Sequence, residues 1–193
     1  RAGIVDESDD YWRINQLLTL VGRAKVAEAL PAVARVIELA WAGGEPVRSL
    51  NDYIKGRIDM QRVPHFDRLL CIAYCAERLA SPELIEPLDR LLSKEFIAGN
   101  TSTTPTEAGP NYHDAYAEVQ LAAAALRCGS VAGGRRLVDY LEDAHSILKG
   151  FAHAELMAVS TEDLGLSSQA WGKWLTQQVK LIPVPYEDDG HVF

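Results

Sequence analysis

The chain has 193 residues, of which 48% are apolar and 24% charged, so it holds enough apolar material for one sizeable core. Its 27 acidic and 19 basic residues give a net charge of −8, which disfavours binding to nucleic acid or to an anionic lipid surface. No apolar run approaches a membrane span, and Arg1 to Asp10 is acidic where a signal peptide is basic and then apolar. We therefore expect one soluble domain, with a cytoplasmic location slightly favoured.

The first two predicted helices are close together in the chain. The first begins after Asp9 or Asp10, either of which can cap it, and ends near Gly22. The second spans 26–42. Its Pro31 lies deep for a first-turn proline, so this helix either begins later or is kinked there.

Further segments with helical spacing follow. They lie, in chain order, at 50–58, 64–79, 82–92, 112–141 as a helix pair, 144–159 and 167–178. Ser81 as a cap with Pro82 at the first helical position is a specific start signal, and Ser167 or Ser168 can cap the last helix. The loop 99–110 lacks apolar residues and is long for a helix connection, which is typical of functional or disordered loops. No stretch alternates as a strand does, so we predict an all-α fold.

The C-terminal end of the chain is predicted to leave the helical domain. Pro183 and Pro185 hold the segment Ile182 to Gly190 extended, because proline fixes φ and disfavours helix at the preceding residue. We assign 1–180 to a single helical domain and 181–193 to an extended acidic tail.

A helix-pair pattern returns along the chain at 69–92 and 119–141, with a weaker copy at 17–37. When Ala80 is laid over Gly129, other residues coincide as well. The matches are Ala73 with Ala122, Ala76 with Ala125, Arg78 with Arg127, Leu88 with Leu137 and Leu92 with Leu141. A unit of this kind buries its apolar face only when a neighbour stacks on it, so the chain is predicted to be a stacked helical repeat.

In this pattern the chain resembles the HEAT family of helical repeats, over most of 10–180. The resemblance implies a right-handed α-solenoid of about four stacked antiparallel helix pairs. It also implies a non-catalytic protein-interaction module whose concave face binds another protein or domain. The oligomeric state stays open.

The C-terminal part carries a more specific pattern. The segments 152–156 and 161–165, followed by Trp171 and Trp174, resemble a terminal repeat common in bacterial HEAT-like proteins. Together with 137–143 they also resemble the helical C-terminal region of some bacterial FAD-dependent oxidoreductases. This second resemblance implies that the flavin domain lies outside the chain, because no GxGxxG fingerprint occurs here.

The sequence contains no catalytic motif of the G-x-S-x-G, Cys-His-Asn or HExxH type, and we predict no catalytic residue, cofactor or metal. Candidate interaction residues remain. Arg135 and Arg136 lie near a helix start, where an anion can bind, while histidines near acidic residues act as bases or, more ordinarily, as caps and inter-helix bridges. The candidates are Arg135, Arg136, His113, His145 and His153.

Three further groups have a functional and a structural interpretation. Cys71 and Cys75 share a helix face and can bind a soft metal with His65, but their apolar neighbours favour buried thiols, as they do for Cys128. The two C-terminal tryptophans can stack on a planar ligand, but they more simply cover the end of the core. The scattered arginines form either an anion-binding patch or, as the charge balance favours, an ion-paired surface. These arginines are Arg35, Arg78, Arg90, Arg127, Arg135 and Arg136.

Overall fold

The structure, a computed structural model, describes residues 7–40, 64–94, 97–102, 112–178 and 180–187. These residues form eight α-helices and no strand, which confirms the all-α prediction for this part of the chain. The helices are α1 (Glu7–Ala24), α2 (Leu30–Leu39), α3 (Pro64–Leu79), α4 (Ile85–Leu92), α5 (Tyr112–Cys128), α6 (Val131–Tyr140), α7 (Ser146–Ser160) and α8 (Ser168–Gln177). The helix predicted over 50–58 lies outside the described residues.

Serine side chains begin three helical segments by accepting a hydrogen bond from a backbone N–H of the first turn. The predicted caps at Ser81 and Ser167 are confirmed, and Ser130 acts in the same way before α6. The three N–H groups are those of Glu83 (3.3 Å from Ser81), Gly133 (3.0 Å from Ser130) and Ala170 (3.2 Å from Ser167).

The second helix begins later than position 26, where the sequence placed its start. A short 3-10 turn, Ala27–Ala29, precedes α2, and Pro31 lies in the first turn of that helix. A first-turn N–H has no partner within the helix, so proline costs nothing there. Of the two explanations for Pro31, the later start is therefore correct.

The helices contact each other in two rows. In the first row α1, α3, α5 and α7 contact each other in that order, and in the second row α2, α4, α6 and α8 do the same. The rows are joined because α2 also contacts α3, α4 contacts α5 and α6 contacts α7.

The middle of the core is formed by the second half of α5. Its run Leu121 to Leu126 is fully buried, as are Leu88 of α4 and Leu137 of α6. The four alanines of this run allow another helix to approach closely, and α6 does so at Gly133. A Cβ atom on Gly133 would lie 2.7 Å from the backbone oxygen of Ala122.

Within the described residues, no helix has the length and apolarity needed to cross a bilayer.

Candidate functional site

All four helices of the first row end at a residue with a positive φ. Lys25, Ala80 and Gly129 follow α1, α3 and α5 with φ values of 49°, 42° and 104°, and Thr161 follows α7 with a φ of 61°. A left-handed residue at this position ends a helix and directs the chain away from its axis. Ala80 and Gly129, the two positions that the sequence superposes, thus occupy equivalent turns.

An arginine precedes the turns after α1, α3 and α5 by two residues. Superposition of the repeat copies in the sequence paired Arg78 with Arg127. In the structure Lys25 is also left-handed, so Arg23, two residues before it, occupies the equivalent position at the end of α1. Arg23 is exposed, whereas Arg78 and Arg127 are 7% and 5% exposed. The ends of the first-row helices therefore carry a series of three arginines, two of them in the interior.

Both buried arginines are paired with buried carboxylates. Arg127 donates to both carboxylate oxygens of Glu155 on α7, at 2.6 and 3.3 Å. Arg78 donates to the carboxylate of the adjacent Glu77 at 2.5 Å. Such pairing is what allows charged groups to be buried at all, because an isolated charge in the interior is very unfavourable.

The carboxyl of Glu77 is shifted towards its neutral form. Burial raises the pKa of Glu77 to about 7, and the nearby Glu155 carboxylate adds to the shift. The positive charges of Arg78 and Arg127 lower the pKa but do not offset the burial. Near neutral pH the Glu77 carboxyl is therefore protonated in a substantial fraction of the molecules.

An extended segment, residues 180–187, lies across these helix ends, and we call it the C-terminal strap. Leu181 is buried, and its carbonyl oxygen would lie 3.1 Å from a Cβ atom on Gly129. Further along, the N–H of Val184 donates to the carbonyl of Arg127 at 2.9 Å, and the N–H of Tyr186 donates to the carbonyl of Glu77 at 2.8 Å. The C-terminal strap thus passes from the end of α5 to the end of α3.

The spacing of prolines in the C-terminal strap fits these bonds. Pro183 and Pro185 have no N–H to donate, and they alternate with Val184 and Tyr186, whose N–H groups are both bound. A helix leaves its last carbonyls without partners, so the strap supplies donors where α5 and α3 need them. The guanidinium of Arg127 also donates to the carbonyl of Val184 at 3.3 Å.

The ring of Tyr186 lies beside both buried arginines. The guanidinium carbons of Arg78 and Arg127 are 4.8 and 5.0 Å from its centroid, and Arg78 also lies 3.6 Å above the ring of Tyr74. These distances are within the range of cation–π attraction. One residue further, Glu187 forms an exposed ion pair of 2.9 Å with Lys25, at the end of α1.

The candidate residues Arg135 and Arg136 have different surroundings although they are adjacent. Arg135 is exposed on α6. Arg136 forms an ion pair of 3.1 Å with Glu118, a fully buried carboxylate that also accepts a hydrogen bond from Tyr140 at 2.7 Å. Burial and the Glu118 charge raise the pKa of Tyr140, so its hydroxyl remains a donor.

The candidate His145 contacts Asp143 at the start of α7. Asp143 accepts hydrogen bonds from the backbone N–H of His145 at 2.7 Å and from that of Ser102 at 2.7 Å, and its Oδ1 lies 2.8 Å from His145 Nδ1. His145 thus occupies the N-cap position of α7, but its side chain makes no capping hydrogen bond and contacts Asp143 instead.

The candidate His153 belongs to the C-terminal helix pair. Its Nε2 lies 3.1 Å from Asp163, and its ring meets the edge of the Trp171 ring at 6.2 Å. Trp171 is fully buried, donates to the carbonyl of Gly165 at 2.7 Å and packs against Trp174. The tryptophans thus close the end of the core, as the structural interpretation of the sequence held.

The candidate His113 is the second residue of α5, and its side chain lies outside the described residues. The described candidate side chains lie in separate places: Arg135 and Arg136 on α6, His145 at the start of α7 and His153 further along α7.

The cysteines have the properties of interior thiols. Burial raises the pKa of Cys75 and Cys128 to about 12 and also raises that of the half-buried Cys71. Their thiols are therefore poor nucleophiles near neutral pH. The described part of the chain contains no cluster of three or more residues suited to a metal, and the side chain of His65 lies outside it.

The scattered arginines do not form a single patch. Arg35 and Arg90 pair on their own helix surfaces with Glu38 and Glu86, as the ion-paired interpretation predicted. Only Arg78 and Arg127 come together, through the ring of Tyr186.

Sequence reasoning missed the buried carboxylates and the contacts of the C-terminal strap. Glu118 accepts hydrogen bonds from the backbone N–H groups of Gly99 and Asn100, at 3.1 and 3.0 Å, in addition to its contacts with α6. No sequence pattern marks this role. The alternation of Pro183 and Pro185 with residues that can donate was the one available signal for the strap.

Comparison with known proteins finds no matching family model, no matching curated protein and no matching solved structure.

Proposed function

We propose that the chain is a non-catalytic helical-repeat protein-interaction module, built as a right-handed HEAT-like solenoid of about four helix pairs. The two rows of helices support this proposal, because each pair contacts the next through both of its helices. The equivalent left-handed turns after α1, α3 and α5 support it as well, since a repeat places the same turn at the same edge.

The observation that carries the proposal is the binding of an extended segment at that edge. The ends of α5 and α3 hold the C-terminal strap through backbone hydrogen bonds to Val184 and Tyr186. A surface that binds an extended stretch through its main chain has the properties of a peptide-recognition surface. The net charge of −8 favours a protein over nucleic acid as partner.

The buried charged groups have the arrangement of structural anchors. Glu118, Asp143 and Glu155 each accept hydrogen bonds from backbone N–H groups or from an arginine. Groups satisfied in this way position loops and helices, whereas a catalytic carboxylate needs access to a substrate.

Site-specific photo-crosslinking of the full chain tests this proposal. A benzophenone side chain placed at the exposed Arg23, at the strap edge, is expected to capture a partner of one defined mass in cells that naturally make the protein. The matched control is Ser146, which is exposed at the beginning of α7. Equal capture at both positions, or none at Arg23, would reject a specific interaction surface at this edge.

A second candidate function is the helical C-terminal module of a bacterial FAD-dependent oxidoreductase. Its support is that His153, Asp163 and the two tryptophans, residues of the resembling pattern, pack together as one unit. The visible absorption spectrum of the purified product of the complete gene tests it. Flavin absorption would support this candidate, and a colourless product would reject it.

A further inference from the structure

We propose that the C-terminal strap is an intramolecular ligand, and that the edge which holds it binds, in a partner protein, an extended segment with alternating prolines followed by a tyrosine and an acidic residue. The inference rests on the proposed function, because it names the class of partner for that same edge. The strap shows the chemistry of the site, and a partner segment of the same chemistry displaces it.

The main-chain contacts give the site its first requirement. Only Val184 and Tyr186 donate backbone N–H groups from the stretch 183–186, and both are bound to carbonyls at helix ends. A ligand must therefore be extended and must offer donors at every second residue. Prolines between the donors favour this shape before binding and so reduce the entropy that is lost on binding.

The arginine pair gives the second requirement. Arg78 and Arg127 flank the Tyr186 ring and are held in place by Glu77 and Glu155, so the aromatic position is preformed. Guanidinium groups attract the face of an aromatic ring. An aromatic residue is therefore favoured over an aliphatic one two positions after the first donor.

The charge at the end of the strap gives the third requirement. Glu187 pairs with Lys25, which directly follows α1, and Arg23 is exposed in the final turn of that helix. An acidic residue directly after the aromatic one is thus favoured, and because this ion pair is exposed its contribution falls with added salt.

The strap is held in a way that permits exchange. Leu181 is buried, but Ile182 is 79% exposed, and Pro185 and Glu187 are exposed as well. Beyond Leu181 the attachment consists of the hydrogen bonds of Val184 and Tyr186, the contacts of the Tyr186 ring with the two arginines and one exposed ion pair. Release of 182–187 therefore uncovers the arginine pair without opening the helical core.

Fluorescence anisotropy with a labelled peptide tests the proposal on the full chain. The peptide carries the sequence of residues 180–187, Lys-Leu-Ile-Pro-Val-Pro-Tyr-Glu. It is expected to bind the Tyr186→Ala variant about tenfold more tightly than the wild-type chain, because the variant's own strap has lost its aromatic contact and competes less. Circular dichroism establishes that the variant is folded.

Modified peptides supply controls that leave the protein unchanged. N-methylation of the amides equivalent to Val184 and Tyr186 removes both donors, and replacement of the tyrosine by alanine removes the ring. Each change is expected to weaken binding to the Tyr186→Ala variant at least about tenfold. Equal binding of the N-methylated peptide, or no saturable binding of the unmodified one, would overturn the proposal.

Two outcomes separate this inference from the proposed function. If the peptide does not bind but Arg23 still captures a partner, the peptide class is wrong and the interaction module stands. If the Tyr186→Ala variant forms a dimer in light scattering by exchanging straps between copies, the assignment to a different partner protein is overturned.

Discussion

Arg127 at the end of α5 donates to both carboxylate oxygens of Glu155 on α7, at 2.6 and 3.3 Å, with the two side chains only 7% and 8% exposed. The pair joins two neighbouring helices of the first row beside the point where the C-terminal strap binds the end of α5. Its geometry is bidentate, the arrangement in which a guanidinium and a carboxylate bind most strongly.

Removing one partner of this pair is expected to be costly. Arg127→Met should lower the free energy of unfolding by about 3–5 kcal/mol, because Glu155 is left buried without its cation. Urea denaturation followed by circular dichroism measures the change. The matched control is Arg90→Met, whose exposed pair with Glu86 should contribute less than about 1 kcal/mol. Similar losses in the two variants would contradict the structural role of Arg127.

Replacement by alanine should have opposite effects on the stability of the protein at two helical glycines, Gly133 and Gly150. Gly133→Ala is expected to destabilise the protein by about 1–3 kcal/mol, because its Cβ would lie 2.7 Å from the Ala122 oxygen, a backbone atom that cannot move away. Gly150→Ala meets nothing within 4 Å and should stabilise α7 by about 0.5–1 kcal/mol. Thermal unfolding of both variants checks the prediction, and it fails if Gly133→Ala is as stable as the wild type.

The stability of the fold should depend on pH through Glu77. Its pKa is raised from 4.5 to about 7, so the folded protein keeps a proton that the unfolded chain releases between these values. The stability contributed by the neutral carboxyl is present below pH 4.5 and is lost as pH rises through 7. The glutamine of Glu77→Gln is neutral at every pH. The free energy of unfolding of this variant, relative to the wild type, should therefore rise by on the order of 1–3 kcal/mol between pH 4.5 and 7.

Unfolding by urea at a series of pH values measures this difference. The control is the exposed Glu83→Gln, which should follow the wild-type profile. If the free energy of unfolding of Glu77→Gln changes with pH in the same way as that of the wild type, the carboxyl of Glu77 is ionised in the folded protein and the prediction is wrong.

Leu88 provides a test of the core between helix rows. Leu88→Asp is expected to abolish cooperative unfolding, because this fully buried side chain would be replaced by an unpaired charge at a cost of several kcal/mol. Leu39→Asp, at a position that is 48% exposed on α2, should leave the thermal transition nearly unchanged. An unaltered transition in Leu88→Asp would remove this residue from the core.

Hydrogen exchange tests the loop that the sequence predicted to be open. From the sequence alone, rapid exchange is expected over 99–110, but the amides of Gly99 and Asn100 donate to Glu118, and that of Ser102 donates to Asp143. We expect these three amides to be protected and Glu118→Gln to weaken protection of the first two. The residues 103–110 lie outside the described part. Rapid exchange of Gly99 and Asn100 in the wild type would contradict the anchoring role of Glu118.

The helices and most of their boundaries were predictable because they depend on local patterns. Ser81 and Ser167 cap as predicted because an N-cap needs only its own side chain and the next few N–H groups. The start of α2 was misplaced, since Val26 to Ala29 continues the apolar pattern although the helix begins beside Pro31. The spacing of apolar residues does not show where a 3-10 turn ends and an α-helix begins.

The candidate site was only partly accessible from sequence. Arg78 and Arg127 were paired by the repeat, but they were interpreted as surface residues because arginine is usually exposed. Their burial depends on Glu155, 28 residues beyond Arg127, and on a segment predicted to be an extended acidic tail. The histidine candidates rested on nearby acidic residues in the sequence, and in the structure His145 contacts Asp143 and His153 contacts Asp163.

The sequence by itself determined the all-α class, the capped helix starts at Ser81 and Ser167 and the equivalence of Ala80 with Gly129, because each depends on spacing along a few residues. Only the tertiary structure decided which carboxylate meets which arginine and where the C-terminal strap lies. These contacts join residues that are far apart in the chain, such as Tyr186 and Glu77. Their energies come from burial and hydrogen-bond geometry, which exist only once the helices have packed.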